Sequence, residues 1–167
     1  VWGCEVPFVR PTELAQDDTP GYEVILHALS CLPGFDYVVL LQPTSPFRTV
    51  EDIDGCIEYC VQMNGHTCVS VTEPASHPYW MYRLTGHHRL KPFLSMDKMV
   101  MRRQELPKVY ALNGAVYVAE REWFIKHRSF LAEEPLAYIM PQERSLDIDT
   151  EWDFMLAEMM MRMKNGD

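Results

Sequence analysis

Tyr37-Val38-Val39-Leu40-Leu41 is an unbroken apolar run, rich in β-branched residues and bounded by turn formers. Such a run marks a strand covered on both faces, which places it at the centre of a parallel sheet. Gln42-Pro43-Thr44-Ser45-Pro46-Phe47-Arg48 interrupts it, and Thr49-Val50-Glu51-Asp52 then resembles a capping box with Asp52 where Glu or Gln usually stands. Ile53, Ile57 and Val61 continue at helical spacing until Asn64-Gly65. Strand, loop and helix make half of a βαβ unit.

The remaining segments repeat the alternation, so the fold class is α/β with a mostly parallel sheet. Thr19-Pro20 reads as a capping hydroxyl before a proline at the first helical position, followed by Val24, Ile25, Ala28 and Leu29 at helical spacing and a stop at Leu32-Pro33-Gly34. Thr67-Cys68-Val69-Ser70-Val71 and Gly114-Ala115-Val116-Tyr117-Val118 are further apolar strands, the second leading into a short helix around Trp123-Phe124-Ile125. Between them Trp80-Met81-Tyr82-Arg83-Leu84 and Arg89-Leu90-Lys91 flank Thr85-Gly86-His87-His88, a hairpin standing off the sheet with its histidines in solvent. An insertion of this kind, at about 77–108, suits a lid or a dimer contact. A last helix runs from 150 to about 164, and its Met155, Met159, Met160 and Met163 read as core or as a subunit interface. Val1-Trp2-Gly3-Cys4-Glu5-Val6 reads as a helix tail entering a short strand, with no initiator Met, and the chain is expected to be a fragment.

A chain of 167 residues makes one domain, spanning 1–167, and at this size buries about 70% of its unfolded surface. A formal net charge of −9 argues against a nucleic-acid partner, which would call for clustered Lys and Arg. Any phosphate must then meet a few placed cations or Mg²⁺. No apolar run reaches a membrane span and no signal pattern opens the chain. The five scattered cysteines lack the spacing of a disulfide scaffold and point to a reducing cytoplasm. Cys56 and Cys60 stand one helical turn apart but lack a completing pair for zinc, so buried thiols are the expectation.

Three segments carry candidate chemistry. The loop of residues 42–48 leaves the carboxyl end of a strand and enters a helix, where open α/β sheets bind ligands, although a stiff connector would look the same. Ser145-Leu146-Asp147-Ile148-Asp149-Thr150 puts alternate carboxylates on one side of an extended, edge-paired segment, which suits Mg²⁺, unless Asp149 or Thr150 is a helix cap and Asp147 a surface charge. Met101-Arg102-Arg103-Gln104-Glu105-Leu106-Pro107-Lys108 gathers cations in an acidic chain, either to meet a carboxylate or as a solvated patch.

Taken in order, Arg10-Pro11-Thr12-Glu13-Leu14-Ala15 with Asp17-Asp18-Thr19, Gln42-Pro43-Thr44-Ser45-Pro46, Arg103-Gln104-Glu105-Leu106-Pro107, Asn113-Gly114-Ala115-Val116-Tyr117 and Asp147-Ile148-Asp149 resemble the successive motifs of the acylneuraminate cytidylyltransferases. The resemblance covers nearly the whole chain. It implies a Rossmann-like three-layer nucleotidyltransferase domain, Mg²⁺ as cofactor, CTP and an acidic nine-carbon sugar as substrates, and a homodimer or larger homo-oligomer built through the inserted arm. It implies nucleotide contacts for Arg10 and Thr19, sugar contacts for Gln42, Thr44 and Ser45, and an acid-sugar pocket of Arg103, Gln104, Tyr110 and Asn113. Asp147 and Asp149 match the carboxylates that bind Mg²⁺. Ala111-Leu112 stands where sialic-acid enzymes often have an arginine, which leaves the sugar open, and the family's Gly-, Arg- and Lys-containing CTP loop has no counterpart in these residues. These 167 residues alone are therefore expected to turn over no CTP.

The reaction so implied is attack of the sugar's anomeric hydroxyl on the α-phosphorus of CTP, releasing pyrophosphate. Two rivals stand beside it: an Asp-x-Asp glycosyltransferase, with only 18 residues after Asp149 to build an acceptor half, and a non-catalytic sugar-binding or dimerisation module.

Overall fold

The computed structural model describes residues 3–94 and 102–165. In chain order its strands are β1 (Tyr37–Leu40), β2 (Thr67–Thr72), β3 (Tyr82–Thr85), β4 (Arg89–Pro92), β5 (Ala111–Glu120) and β6 (Leu136–Ile139). Its α-helices are α1 (Gly21–Cys31), α2 (Val50–Gln62), α3 (Arg121–His127) and α4 (Glu151–Asn165).

The period of two of an extended chain divides β1 between two cores. Tyr37 and Val39 pack with Cys56, Cys60, Cys68, Val116, Val118 and Met140, whereas Val38 and Leu40 pack with Leu29, Val69, Val71, Ala119, Phe124 and Phe130. Helix α2 covers the first face, and α1 with α3 covers the second. The layering of helix, sheet and helix is consistent with a Rossmann-like α/β domain. Cys56 and Cys60 are wholly buried thiols, as read from the sequence.

The sheet is mixed, not mostly parallel. Its order is β1-β5-β2-β6, with β5 antiparallel to both neighbours and only β2 and β6 pairing in parallel. Strands β1, β2 and β6 thus share one direction, and β5 is the reversed strand between β1 and β2. Strand β1 is an edge strand among the described residues and not the centre of the sheet. An apolar run reports helices above and below a strand, but it carries no information about strand direction or edge neighbours, so both corrections share one cause.

Helix α2 begins as expected: the Thr49 hydroxyl accepts from the Asp52 amide, and the Asp52 carboxylate accepts from the Thr49 amide. Helix α1 differs, because Pro20 is its N-cap and the Thr19 hydroxyl donates to the Glu13 carbonyl at 3.4 Å. Pro20 brings a fixed φ but no side-chain acceptor, so the first turn is shaped without a hydroxyl cap. Residues 3–10 form no regular element, so the expected short strand near the start is absent among them, and Val1-Trp2 lies outside the described residues. Strands β3 and β4 form a separate antiparallel hairpin, exposed throughout, with His87 and His88 at its turn. The expected segment of residues 77–108 contains it, with residues 95–101 outside the described set. On α4, Met155, Met159 and Met163 are exposed and so are not core, although Ala157 beside them is buried. No helix among the described residues is long and apolar enough to cross a membrane.

Candidate functional site

The loop of residues 42–48 is held from behind by Arg48. Its Nη1 donates to the carbonyls of Gln42, Ser45 (3.0 Å) and Ala115 (3.4 Å), which ties the loop to itself and to β5. Burial pulls the Arg48 pKa below its ordinary value. Beyond the loop, the capping carboxylate of Asp52 takes a second task. It is wholly buried and binds Arg144 in a two-pronged pair, Nε to Oδ2 and Nη2 to Oδ1, each at 2.8 Å. Burial opposes ionisation of Asp52, but the Arg144 guanidinium and the Thr49 amide and hydroxyl outweigh it and hold the carboxyl below its usual range. The pair fastens the start of α2 to the segment leading into residues 145–149.

That segment reaches the loop through one backbone bond, Ile148 N–H to the Thr44 carbonyl at 2.9 Å. It is irregular and not a sheet edge, so the expected edge pairing reduces to this single bond. Asp147 Oδ1 is shut off from water and has no hydrogen-bond partner, whereas Asp149 is exposed. The cap of α4 is made by Thr150 and Asp153: the Asp153 carboxylate accepts from the Thr150 amide and hydroxyl and from the Asp149 amide. The helix-cap reading therefore belongs to Thr150, which leaves the Asp149 carboxylate outside the cap. Among the described residues no group of three or more His, Cys, Asp and Glu could form a metal cage. A divalent ion would instead rest on a carboxylate pair completed by substrate oxygens and water, as Mg²⁺ does. The orphaned Oδ1 of Asp147 fits that role.

Opposite Asp147, β5 carries a bulge. The register with β2 shifts between Val69 and Val71, and Gly114 takes φ +72°. Ser70 fills the irregularity, donating to Asn113 Oδ1 at 2.6 Å and accepting from the Val116 amide at 2.8 Å. Asn113 Nδ2 donates to Ser145 Oγ at 2.9 Å and approaches Met140 Sδ at 3.4 Å. Asn113, expected in the sugar pocket, is buried and spends its side chain on the protein interior. Gly114 beside it lets three site groups converge, since a Cβ there would lie 2.9 Å from Gln42 Oε1, 3.1 Å from Asp147 Oδ2 and 3.5 Å from Ser45 Oγ.

Of the other expected residues, Arg10 and Gln42 fall in one space and Arg103 and Gln104 in another. Arg10 and Gln42 line a cleft of about 520 Å³ with Tyr22, Tyr117 and Arg128. Burial, and then the negative charge of Asp147, push the Tyr117 phenol up, so the cleft and the acidic segment share one electrostatic neighbourhood. Thr19 does not line this cleft. Arg103 and Gln104 line a cavity of about 420 Å³ with Glu73, His77 and Lys108. Arg103 donates there to the carbonyls of Pro74 (2.8 Å) and Ala75 (3.3 Å), so part of its fork is already engaged. Tyr110 is exposed just before β5, and Met101 lies outside the described residues.

Sequence reasoning gave no role to Arg48, Ser70 or the Asp52–Arg144 pair. Arg48 stands at the end of the loop segment of residues 42–48, but Glu51 and Asp52 follow at i+3 and i+4, so its local sequence reads as a helix-start ion pair. The pair spans 92 positions and leaves no local trace.

The chain is 33% identical over 157 residues to an N-acylneuraminate cytidylyltransferase of Escherichia coli O18:K1:H7, an alignment covering 94% of this chain and 37% of that protein. It is 32% identical over 168 residues to a CMP-N,N'-diacetyllegionaminic acid synthase of Legionella pneumophila, covering 97% of this chain and 71% of the relative. An N-acylneuraminate cytidylyltransferase of Streptococcus agalactiae is 33% identical over 146 residues, covering 87% of this chain and 35% of its own length. The chain thus spans little more than a third of the longer relatives. No protein-family model matches it.

Proposed function

Because the chain belongs to the acylneuraminate cytidylyltransferase family, we propose that it takes part in transferring CMP from CTP to a nonulosonic acid, with pyrophosphate as the leaving group. The observation that carries this reading is the Asp147 carboxylate, whose Oδ1 is shielded from water without a partner and whose Oδ2 converges with Gln42 Oε1 and Ser45 Oγ on Gly114. A carboxylate kept there without a protein partner loses solvation and gains nothing unless a cation or a donor meets it.

Asp147 and Asp149 would hold Mg²⁺. When bound, that ion neutralises charge on phosphate oxygens and orients them for in-line displacement. The chain's own residues do the remaining work. Gln42 and Thr44 face the sugar from the loop, with Gln42 bridging to the Arg10 cleft that receives the nucleotide, whereas Ser45, expected as a sugar contact, is wholly buried, directs its hydroxyl to the Asn113 carbonyl at 3.4 Å and shapes the loop. Thr19, set back from this cleft, completes the nucleotide side. Arg103 and Gln104, with Tyr110 at the rim, present the cations and donors suited to the sugar's carboxylate. Asn113 acts by shaping the bulge that opens Gly114. The exposed β3–β4 hairpin is the dimer contact of a homodimer or larger assembly, and the free thiols of all five cysteines suit a reducing cytoplasm.

Relatives named for neuraminic and for legionaminic acids match this chain equally well, so the substrate class is the nonulosonic acids as a whole. The test is calorimetric titration with a panel of these acids, with CTP and Mg²⁺, together with pyrophosphate release. Binding of at least one nonulosonic acid, weakened by Asp147→Asn only in the presence of Mg²⁺ and CTP, is the expected result. Failure of every acid to bind overturns the reading.

A further inference from the structure

The Arg48 guanidinium, which ties the loop of residues 42–48 to β5, also bears on the acidic segment opposite. Three properties set it apart. It is partly withdrawn from water, its Nη1 is the donor to three main-chain carbonyls, and no carboxylate pairs with it among the described residues. Even partial desolvation of a cation without a counter-charge opposes stability, which a methionine of similar length would avoid. Its presence therefore calls for a purpose, and all three contacts converge on the single nitrogen Nη1.

The three carbonyls supply that purpose. Gln42 and Ser45 bracket the loop, and Ala115 follows the bulged Gly114. Drawing these oxygens inward turns the loop's backbone so that the Gln42 and Ser45 side chains converge on Gly114 beside Asp147. The same loop presents the Thr44 carbonyl to the Ile148 amide, the one backbone bond that fastens the acidic segment to it. We propose that Arg48 is a positioning residue: by gathering the carbonyls of Gln42, Ser45 and Ala115 it sets the geometry of the loop and, through Thr44 and Ile148, of Asp147. The claim that this geometry serves CMP transfer rests on the function proposed above, but the positioning itself is testable without any substrate.

Amide hydrogen exchange on the chain decides it. The Ser45 amide bonds to the Gln42 carbonyl and the Ile148 amide to Thr44, so both report the loop directly. In Arg48→Met both should exchange about tenfold faster or more, while the Val118 and Cys68 amides in the core of the sheet keep their protection. Added guanidinium ion should restore protection at Ser45 and Ile148 in Arg48→Met. In the whole enzyme, Arg48→Met should lower kcat with a smaller change in the KM for CTP, and guanidinium should raise it again. Unchanged exchange at Ser45 and Ile148 in Arg48→Met, or uniform loss of protection through the core, overturns the proposal. If no nonulosonic acid binds even the unaltered chain, the functional reading fails while the exchange result still judges Arg48.

Discussion

The loop of residues 42–48 and the hairpin of residues 82–92 both leave the same small domain, yet they are secured in opposite ways. The loop is tied from behind by a partly buried guanidinium, at its far end by a capping box, and from the side by a segment that a buried ion pair holds in place. The hairpin has its own cross-strand bonds, a Phe93 amide to Met81 carbonyl bond at its root, and exposed Leu84, Leu90 and Phe93. The contrast separates two ways of placing residues near a site. Residues that need sub-ångström placement are built on over-determined backbone, and residues that need a partner are left on an element free to find one.

The sharpest way to break this contrast is at Asp147. Asp147→Asn should lower Mg²⁺-dependent CMP transfer about a thousandfold or more while leaving the melting temperature nearly unchanged, because its shielded Oδ1 has no hydrogen-bond partner to lose. Pyrophosphate release and thermal unfolding measured on the same sample check both halves. A large drop in melting temperature would make Asp147 a structural residue.

Asp52→Ala attacks the fastening instead of the chemistry. It strands Arg144 and removes the α2 cap, and should cost about 3 kcal/mol in urea unfolding, the range for breaking a buried pair. The pH dependence has a definite sign. Asp52 is held below its ordinary carboxyl range in the fold, so its contribution is present above its unfolded value of about 3.9 and is lost as pH falls through the lower folded value. Stability below about pH 4 should therefore fall more steeply in the unaltered chain than in Asp52→Ala.

Arg103→Ala tests the cavity lined by Arg103, Gln104, His77 and Lys108. It should weaken binding of the acidic sugar roughly ten- to thirtyfold, with CTP affected several times less, as expected for loss of one charge-assisted contact. Equal losses for both ligands in calorimetry would assign Arg103 to its Pro74 and Ala75 bonds alone. The smallest effect belongs to the hairpin. Leu84→Ser with Leu90→Ser should change chain stability by less than about 0.5 kcal/mol, since both are already in water. If the hairpin is the dimer contact, sedimentation should nevertheless show weaker self-association.

Much of the fold was legible because its signals are local. The capping box at Thr49, the stop at Pro33-Gly34, the hairpin around Gly86 and the apolar strands all depend on residues within a few positions, where steric and hydrogen-bond preferences act directly. The motif order in the sequence likewise led to the right family, and Gln42, Ser45 and Asp147 do converge on Gly114. Strand direction was not legible. The apolar run of β5 reads the same in either direction, and only pairing with β1 and β2 decides that it runs against them.

Sequence alone determined which residues could do chemistry here: two carboxylates one residue apart, a hydroxyl-bearing loop after a strand, and a few cations in a chain of net charge −9. Tertiary structure decided which of them are at liberty to do it. It sealed Asn113 into the β5 bulge, assigned Thr150 and Asp153 to the cap of α4, and shielded Asp147 Oδ1 without a partner. The reason is physical: residue type fixes the donors and acceptors a side chain brings, but whether they are already satisfied depends on groups that meet only when distant segments pack. Asp52 and Arg144, 92 positions apart, meet in that way.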